Sequence, residues 1–282
     1  MNSFNAKRYW EQRLQNEFNL HGVGRRNWGI HFNRWAYRVR RRVFMHHVRS
    51  LKLDMSALDC LDVGSGTGFY LDRWLELNAR SVTGADLTDA AVNRLRQRYT
   101  HLRICNLDIG GGQGELAESQ FHAVSCMDVL FHIVDDDRYR QAVRNIFSLI
   151  RPGGWFIFSE AFLKGPEQRM EHIVHRSARQ IQDDLHAAGF ELVGHHPFLV
   201  LMNDPVEQGH PLLKAVWRGL KGTVQRANWT GAVVGPALYP LELALVRGLN
   251  KSPSTQIILC RRPANRADAD QARTDRSPIE SL

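Results

Sequence analysis

A chain of 282 residues with 43% hydrophobic side chains can bury a sizeable core, and with no uncharged apolar run of about 18 residues a spanning helix is not expected. The formal net charge of +8 is concentrated at one end: residues 1–50 hold eleven Lys and Arg against Glu11 and Glu17, a balance of +9, and the remainder is close to neutral. Met1–Arg26 is too polar for a secretory signal, and the four cysteines lack metal-type spacing and fit reduced, buried thiols; a cytoplasmic setting is expected.

In chain order, Asn5–Phe18 reads as a helix with Trp10, Leu14 and Phe18 on one face. A loop with Gly22, Gly24 and Gly29 follows, and Trp28, Phe32, Trp35, Val39 and Val43 then recur at helical steps. Arg34, Arg38 and Arg41 share another face of that second helix. They read as a solvated basic face, or as a site for an anionic substrate or an acidic membrane surface. Nucleic acid is not expected as a partner, because no aromatic-interleaved platform accompanies the charge.

From Ala57 strands and helices alternate: strand Ala57–Val63, helix Phe69–Leu77, strand Ser81–Asp86, helix Asp89–Tyr99, then strands Leu102–Asp108 and Phe121–Met127. Asp135 is placed to cap a helix carrying Tyr139, Val143, Ile146 and Ile150. The turn Arg151-Pro152-Gly153-Gly154 is expected to stop that helix and start a strand at Trp155–Ser159. Ser177 and Gln180 form a capping box for Ala178–Ala188, closed by Gly189. The last strands are Phe190–His196 and Thr255–Arg262. The 58 residues between them are too many for an ordinary connection; they hold a helix at Leu212–Val224 and an apolar stretch, Gly231–Leu249, interrupted by Pro236 and Pro240, which reads as a cap on the ligand end of the sheet or as an interfacial membrane helix. Such alternation predicts an α/β fold with a mostly parallel sheet covered on both faces. The expected divisions are a helical lid over 1–50, the main domain over 51–262 with a cap insertion at 197–254, and a disordered tail over 263–282.

The stretch Leu61-Asp62-Val63-Gly64-Ser65-Gly66-Thr67-Gly68-Phe69-Tyr70 reads as strand, glycine turn and helix N-terminus, a cradle in which backbone approaches a ligand closely. A dinucleotide fingerprint needs G-x-G-x-x-G; here the third glycine, Gly68, comes one place early. The next strand ends at Asp86, whose carboxylate can accept both hydroxyls of a ribose. The third ends at Asp108-Ile109, where the acid can accept an adenine amino hydrogen and Ile109 with Leu87 can sandwich the ring. The fourth ends at Met127-Asp128, facing the other end of the ligand. All lie at carboxyl ends of strands, where such sheets bind ligands.

This series resembles the class I S-adenosylmethionine-dependent methyltransferases. Asp62 to Gly68, with Gly64, Ser65 and Gly66, looks like their first motif, Asp86 like their ribose acid, Asp108-Ile109 like their adenine contacts, Phe121–His132 like their fourth-strand motif, and Arg151–Gly154 like the turn before their fifth strand. The resemblance implies a Rossmann-like methyltransferase fold of seven strands with an antiparallel last strand, S-adenosyl-L-methionine as cofactor, and methyl transfer to a hydroxyl or amine of a small molecule, such as a glycan, a lipid-linked compound or a secondary metabolite. His132, beyond the fourth strand, is the candidate base or substrate-orienting group, with Glu160 second and His172, His175 and Arg176 as further candidates for substrate contact. Tyr9, Trp10, Arg25 and Arg26 are candidates to close over the cofactor carboxylate. No metal site is expected. The alternatives are a non-catalytic S-adenosylmethionine-binding protein and an NAD-dependent oxidoreductase, the latter disfavoured by the early Gly68. An amino-methylating enzyme of RNA is disfavoured by Met127-Asp128-Val129-Leu130, which lacks the Asn/Asp-Pro-Pro-Tyr/Phe pattern.

Overall fold

The structure, a computed structural model, describes residues 4–207, 211–227 and 229–264. Most of the tail expected over 263–282 lies outside the described residues. Two long amphipathic segments open the chain: α1 (Ala6–Asn16), whose first turn is capped by the Asn5 side chain accepting the Arg8 N–H, and α3 (Gly29–Ser50), with the one-turn α2 (Leu20–Val23) between them. The alternating region then gives β1 (Asp59–Val63), α4 (Phe69–Glu76), β2 (Ser81–Asp86), α5 (Asp89–Arg98), β3 (Arg103–Asn106), β4 (Phe121–Cys126), α6 (Asp136–Leu149) and β5 (Ile150–Glu160). A short hairpin, β6 (Gln168–Met170) and β7 (Ile173–His175), precedes α7 (Ala178–Ala188) and β8 (Glu191–Leu199). The long insertion forms α8 (Pro211–Arg226) and α9 (Thr230–Gly248), and β9 (Thr255–Arg261) closes the fold.

Seven strands form one sheet in the order β3-β2-β1-β4-β5-β9-β8. The first five are parallel, and β9 runs antiparallel to both β5 and β8. The sheet is buried on both faces, which is why its strands read as apolar runs rather than alternating ones. Val39, Phe44, Trp74 and Leu95, from α3, α4 and α5, fill one face. Tyr139, Ile146, Ile181 and Leu185, from α6 and α7, fill the other. Each such side chain stabilises the fold by roughly 1.5–3 kcal/mol. The helix α3 therefore belongs to the core. All four cysteines are buried free thiols.

Chain order reverses direction between β1 and β4, so the sheet has its topological switch point there, and the crevice at the carboxyl ends of those strands is where a ligand fits. The Gly64–Gly68 loop leaves β1 at this point.

Two expectations need correction. Arg151–Gly154 does not separate helix from strand, because β5 begins at Ile150, paired with Phe121, and bulges through these residues before regaining register at Ala123–Trp155. Gly153, at φ +79°, takes up the bulge and donates its N–H to the Arg262 carbonyl. The stretch 231–249 is not interrupted by its prolines, since α9 runs through Pro236 and Pro240. Proline removes a helical hydrogen bond, but Pro236 is only half buried and Pro240 is exposed, so water can reach the carbonyls left over. No helix of the described residues is long and apolar enough to cross a membrane.

Candidate active site

Local chemistry builds the cradle. After β1, Gly64, Gly66 and Gly68 all have positive φ, and the N–H groups of Gly64 and Ser65 both donate to the Ala85 carbonyl of β2 (2.7 and 3.0 Å). A Cβ on Gly64 would stand 2.2 Å from Cγ2 of Val129, and one on Gly68 would meet the Tyr99 ring. The loop is thus pressed between β2 and the segment after β4, with no room for side chains at its ends. The Gly66 N–H donates to Oδ2 of Asp86 (2.8 Å), and Oδ1 accepts the N–H and hydroxyl of Thr88 (2.9 and 2.7 Å). Of about four acceptor positions on a carboxylate, Asp86 keeps roughly one for a ligand in this arrangement, fewer than both ribose hydroxyls require.

The crevice above the loop is lined by Gly64, Ser65, Gly66, Asp86, Leu87, Asp108, Ile109, Met127 and His132, bringing together His132 and eight of the ten residues expected to hold the cofactor. Gly68 instead caps α4 from below, and its carbonyl accepts from the Tyr99 hydroxyl. Asp62 lies inside the sheet. Its Oδ1 accepts from the Ser125 hydroxyl (2.6 Å), which itself accepts from the Trp74 indole N–H (2.9 Å). Asp62 Oδ2 is buried without a partner, and burial pushes the carboxyl up to about 7. Asp108 is half exposed and paired with Arg138 at 2.6 Å.

The roof of the crevice is α1: Ala6, Trp10 and Leu14 face the cradle. Glu11 fastens this helix by accepting the N–H groups of Asp89 and Ala90 at the N-terminus of α5 (2.8 and 3.0 Å), where unpaired donors and the helix dipole favour a carboxylate. Trp10 stands edge-on to the His132 ring (4.9 Å), and Tyr9 stacks on His172 (5.5 Å).

A second cavity, of about 390 Å³, adjoins the first. Tyr9, Arg25 and Arg26 line this one only, away from the cradle they were expected to close, whereas Trp10, Val23, Tyr37, Asp128 and His132 line both. His172 and His175, brought in by the β6–β7 hairpin, line the second cavity; Arg176 is fully buried beneath it, over the Tyr139 ring. Arg25 is paired with Asp204. Glu160 is fully buried, lines neither cavity, and is pushed up to about 8 by burial against the pull of Arg176.

His132 is half-buried, and its Nδ1 lies 2.9 Å from the His172 carbonyl oxygen. A carbonyl can only accept, so Nδ1 carries the proton and Nε2 keeps a lone pair. Burial lowers the imidazole pKa to about 3, against the raising effect of that carbonyl, so the ring is neutral across the physiological range.

Sequence reasoning missed one part of the shared wall. Arg40 of α3 reaches Asp128 and pairs with its Oδ2. Oδ1 accepts from the Ser159 hydroxyl (3.0 Å), which in turn accepts the Asp128 N–H (2.8 Å). Asp128 is held in this way at φ +59°, a conformation that costs a non-glycine residue free energy and recurs at functional sites. The available signal was a charge on an apolar face: Arg40 shares the buried side of α3 with Tyr37 and Phe44.

A parallel sheet with an antiparallel seventh strand, a glycine cradle at the switch point and an acid ending the second strand define a nucleotide-cofactor domain of methyltransferase topology. Residues 60–154 match the family model described as a methyltransferase domain. The ubiquinone biosynthesis O-methyltransferase of Albidiferax ferrireducens is 30% identical over 126 residues, covering 41% of this chain and 48% of that protein. Nodulation protein S of Azorhizobium caulinodans is 27% identical over 122 residues, covering 40% and 55%. The chain spans about half the length of these curated relatives. Among solved structures, the N-methyltransferase NodS from Bradyrhizobium japonicum, in complex with S-adenosyl-L-homocysteine, superimposes with a TM-score of 0.51 at 15% identity, covering 92% of this chain and 100% of that one. Residues 60–154 are thus a methyltransferase domain, set in a sheet that shares its fold with that solved methyltransferase.

Proposed function

We propose that the protein is an enzyme that transfers a methyl group from S-adenosyl-L-methionine to a hydroxyl or amine of a small molecule, of the glycan, lipid-linked or secondary-metabolite kind. The observation that carries this reading is the wall common to the two cavities: Trp10, Tyr37, Asp128 and His132 stand between a glycine cradle and a second chamber of acceptor size. The relatives named above include both an O- and an N-methyltransferase, and either acceptor type is consistent with that chamber.

The donor fits the residues present. The cradle is sealed against any Cβ at Gly64, Asp86 retains an acceptor position, and Leu87 and Ile109 supply apolar surface for a flat ring. The bound donor would supply an electrophilic methyl on a sulfonium, whose leaving group needs no acid. The protein's share is alignment in a closed, dry site. Trp10, Val23 and Tyr37 wall the junction on both sides, and the Arg40–Asp128 pair fixes the floor between chambers. For a hydroxyl acceptor the O–H proton must leave as the C–O bond forms, and His132 Nε2 is the group to receive it. A base of low pKa suffices at that moment, because an oxygen gaining a methyl becomes strongly acidic.

Calorimetry against S-adenosylmethionine and NADH tests the cofactor, with binding of NADH alone as the contrary result. A panel of acceptors read by mass spectrometry tests the reaction. On an accepted hydroxyl substrate, His132→Gln is expected to lower kcat about 10²–10⁴-fold with donor affinity changed little. Because the imidazole pKa is depressed to about 3, its neutral form persists from pH 8 down past pH 5, so His132 should impose no acid limb on kcat/KM there. A limb near 6.5 that disappears in the variant would contradict this.

A further inference from the structure

The insertion carries a surface that the donor and acceptor chambers do not use. Among the described residues seven large apolar side chains are exposed, and four of them, Trp229, Val233, Leu241 and Leu249, lie on α9 or at its ends. Val216 lies on the neighbouring α8 and Val193 on β8. Trp229, Val233, Ala237 and Leu241 recur every four residues, Pro240 and Ala244 fall on the same side, and every one is exposed. At 100° per residue these positions share one side of the helix.

The inner side of α9 is already satisfied. A Cβ on Gly231 or Gly235 would run into Phe32 or Trp35 of α3, and the buried Glu242 accepts the N–H groups of Val200 and Leu201 just beyond β8 (2.6 and 2.8 Å). This inverts the usual pattern, in which a surface helix turns its charges outward. Core packing does not account for the outward apolar stripe.

Beside its C-terminal end lies an open groove between α3, β8 and α9, of about 1060 Å³. Arg41, Arg42, Arg49 and Arg247 line it, with His46, His47, His195 and His196, and no Asp or Glu does. Arg41 is paired with Glu76, whereas Arg42, Arg49 and Arg247 form no ion pair among the described residues. Arg38 extends the basic margin along α3, stacked 4.0 Å from the Trp35 ring that packs on α9.

We infer that the outer face of α9, with the basic groove beside it, docks this protein onto an anionic phospholipid surface. An apolar stripe with an aromatic residue at one end and a cationic margin is the combination that lies in a bilayer interface, with the stripe among acyl chains and the arginines among phosphates. Charge complementarity selects this occupant over a second copy of the chain. Two copies meeting through this face would bring their basic margins together, whereas a lipid phosphate answers them.

Flotation of the full chain with vesicles tests it. The protein is expected to float with vesicles of phosphatidylglycerol in phosphatidylcholine, not with phosphatidylcholine alone, and the bound fraction should fall as NaCl is raised. Val233→Glu with Leu241→Glu should weaken partitioning at least about tenfold, with S-adenosylmethionine affinity and melting temperature unchanged. Arg42→Gln with Arg49→Gln, on an exposed surface where folding is not at stake, should weaken it several-fold and flatten its salt dependence. Equal binding to neutral vesicles, no binding to either, or wild-type flotation of both variants overturns the proposal. So does a dimer in sedimentation that the glutamate variant converts to monomer, which would assign the face to a second copy.

Discussion

Replacing Gly64 with alanine is expected to reduce S-adenosylmethionine affinity at least tenfold while leaving most of the fold intact. Two effects combine. At φ +75° an L side chain costs roughly 1–2 kcal/mol, and the new Cβ would stand 2.2 Å from Val129 Cγ2. Either the loop backs away from Val129, withdrawing the backbone that lines the crevice, or Val129 swings into the space where the donor belongs. The double change Gly64→Ala, Val129→Ala separates these effects, since it removes the clash and keeps the unfavourable φ. About half of the lost affinity should return in calorimetry. No loss in the single variant would mean that the loop does not approach the donor.

The second large effect is expected at the Arg40–Asp128 pair. Its side chains are 12% and 25% exposed; removing one partner of a fully buried pair costs about 3–5 kcal/mol, and the residual exposure reduces this to roughly 1–3 kcal/mol. Arg40→Met keeps the aliphatic stem and removes the guanidinium, whose Cζ lies 5.4 and 5.1 Å from the ring centroids of Tyr37 and Phe198. Asp128 then loses one of the two anchors that hold its strained backbone, and kcat should fall at least tenfold with donor affinity changed only a few-fold. A double-mutant cycle with Asp128→Asn should show coupling of about 1 kcal/mol or more. Strict additivity would show that the pair is incidental.

Most of the parallel half of the sheet was legible because β1, β2 and β4 are apolar runs that end at or just before a glycine or aspartate, and α5 and α6 carry side-chain caps at Thr88 and Asp135. The cradle was legible for a related reason: three closely spaced glycines after a strand have few other physical explanations. Nine of the candidates fall along one crevice. Asp62 reads as part of the same motif but lies within the strand, buried and held by the Ser125 hydroxyl of β4 outside the crevice. What stayed hidden depends on contacts distant in sequence. Arg40 and Asp128 are separated by 88 positions, and the β6–β7 hairpin that delivers His172 and His175 has only three residues in each strand, too few to show a period.

The roof helix has one further consequence. Trp10 lines both chambers at once, and Glu11 on the same helix latches it to α5. On the proposed function, exchange of a spent donor for a fresh one past this roof would disturb the same helix that walls the acceptor. A molecule with two sites for modification would be freed between turnovers and would have to rebind. On that reading multiply methylated products are expected to build up through a released, singly methylated intermediate, a distributive pattern that a time course by mass spectrometry would show.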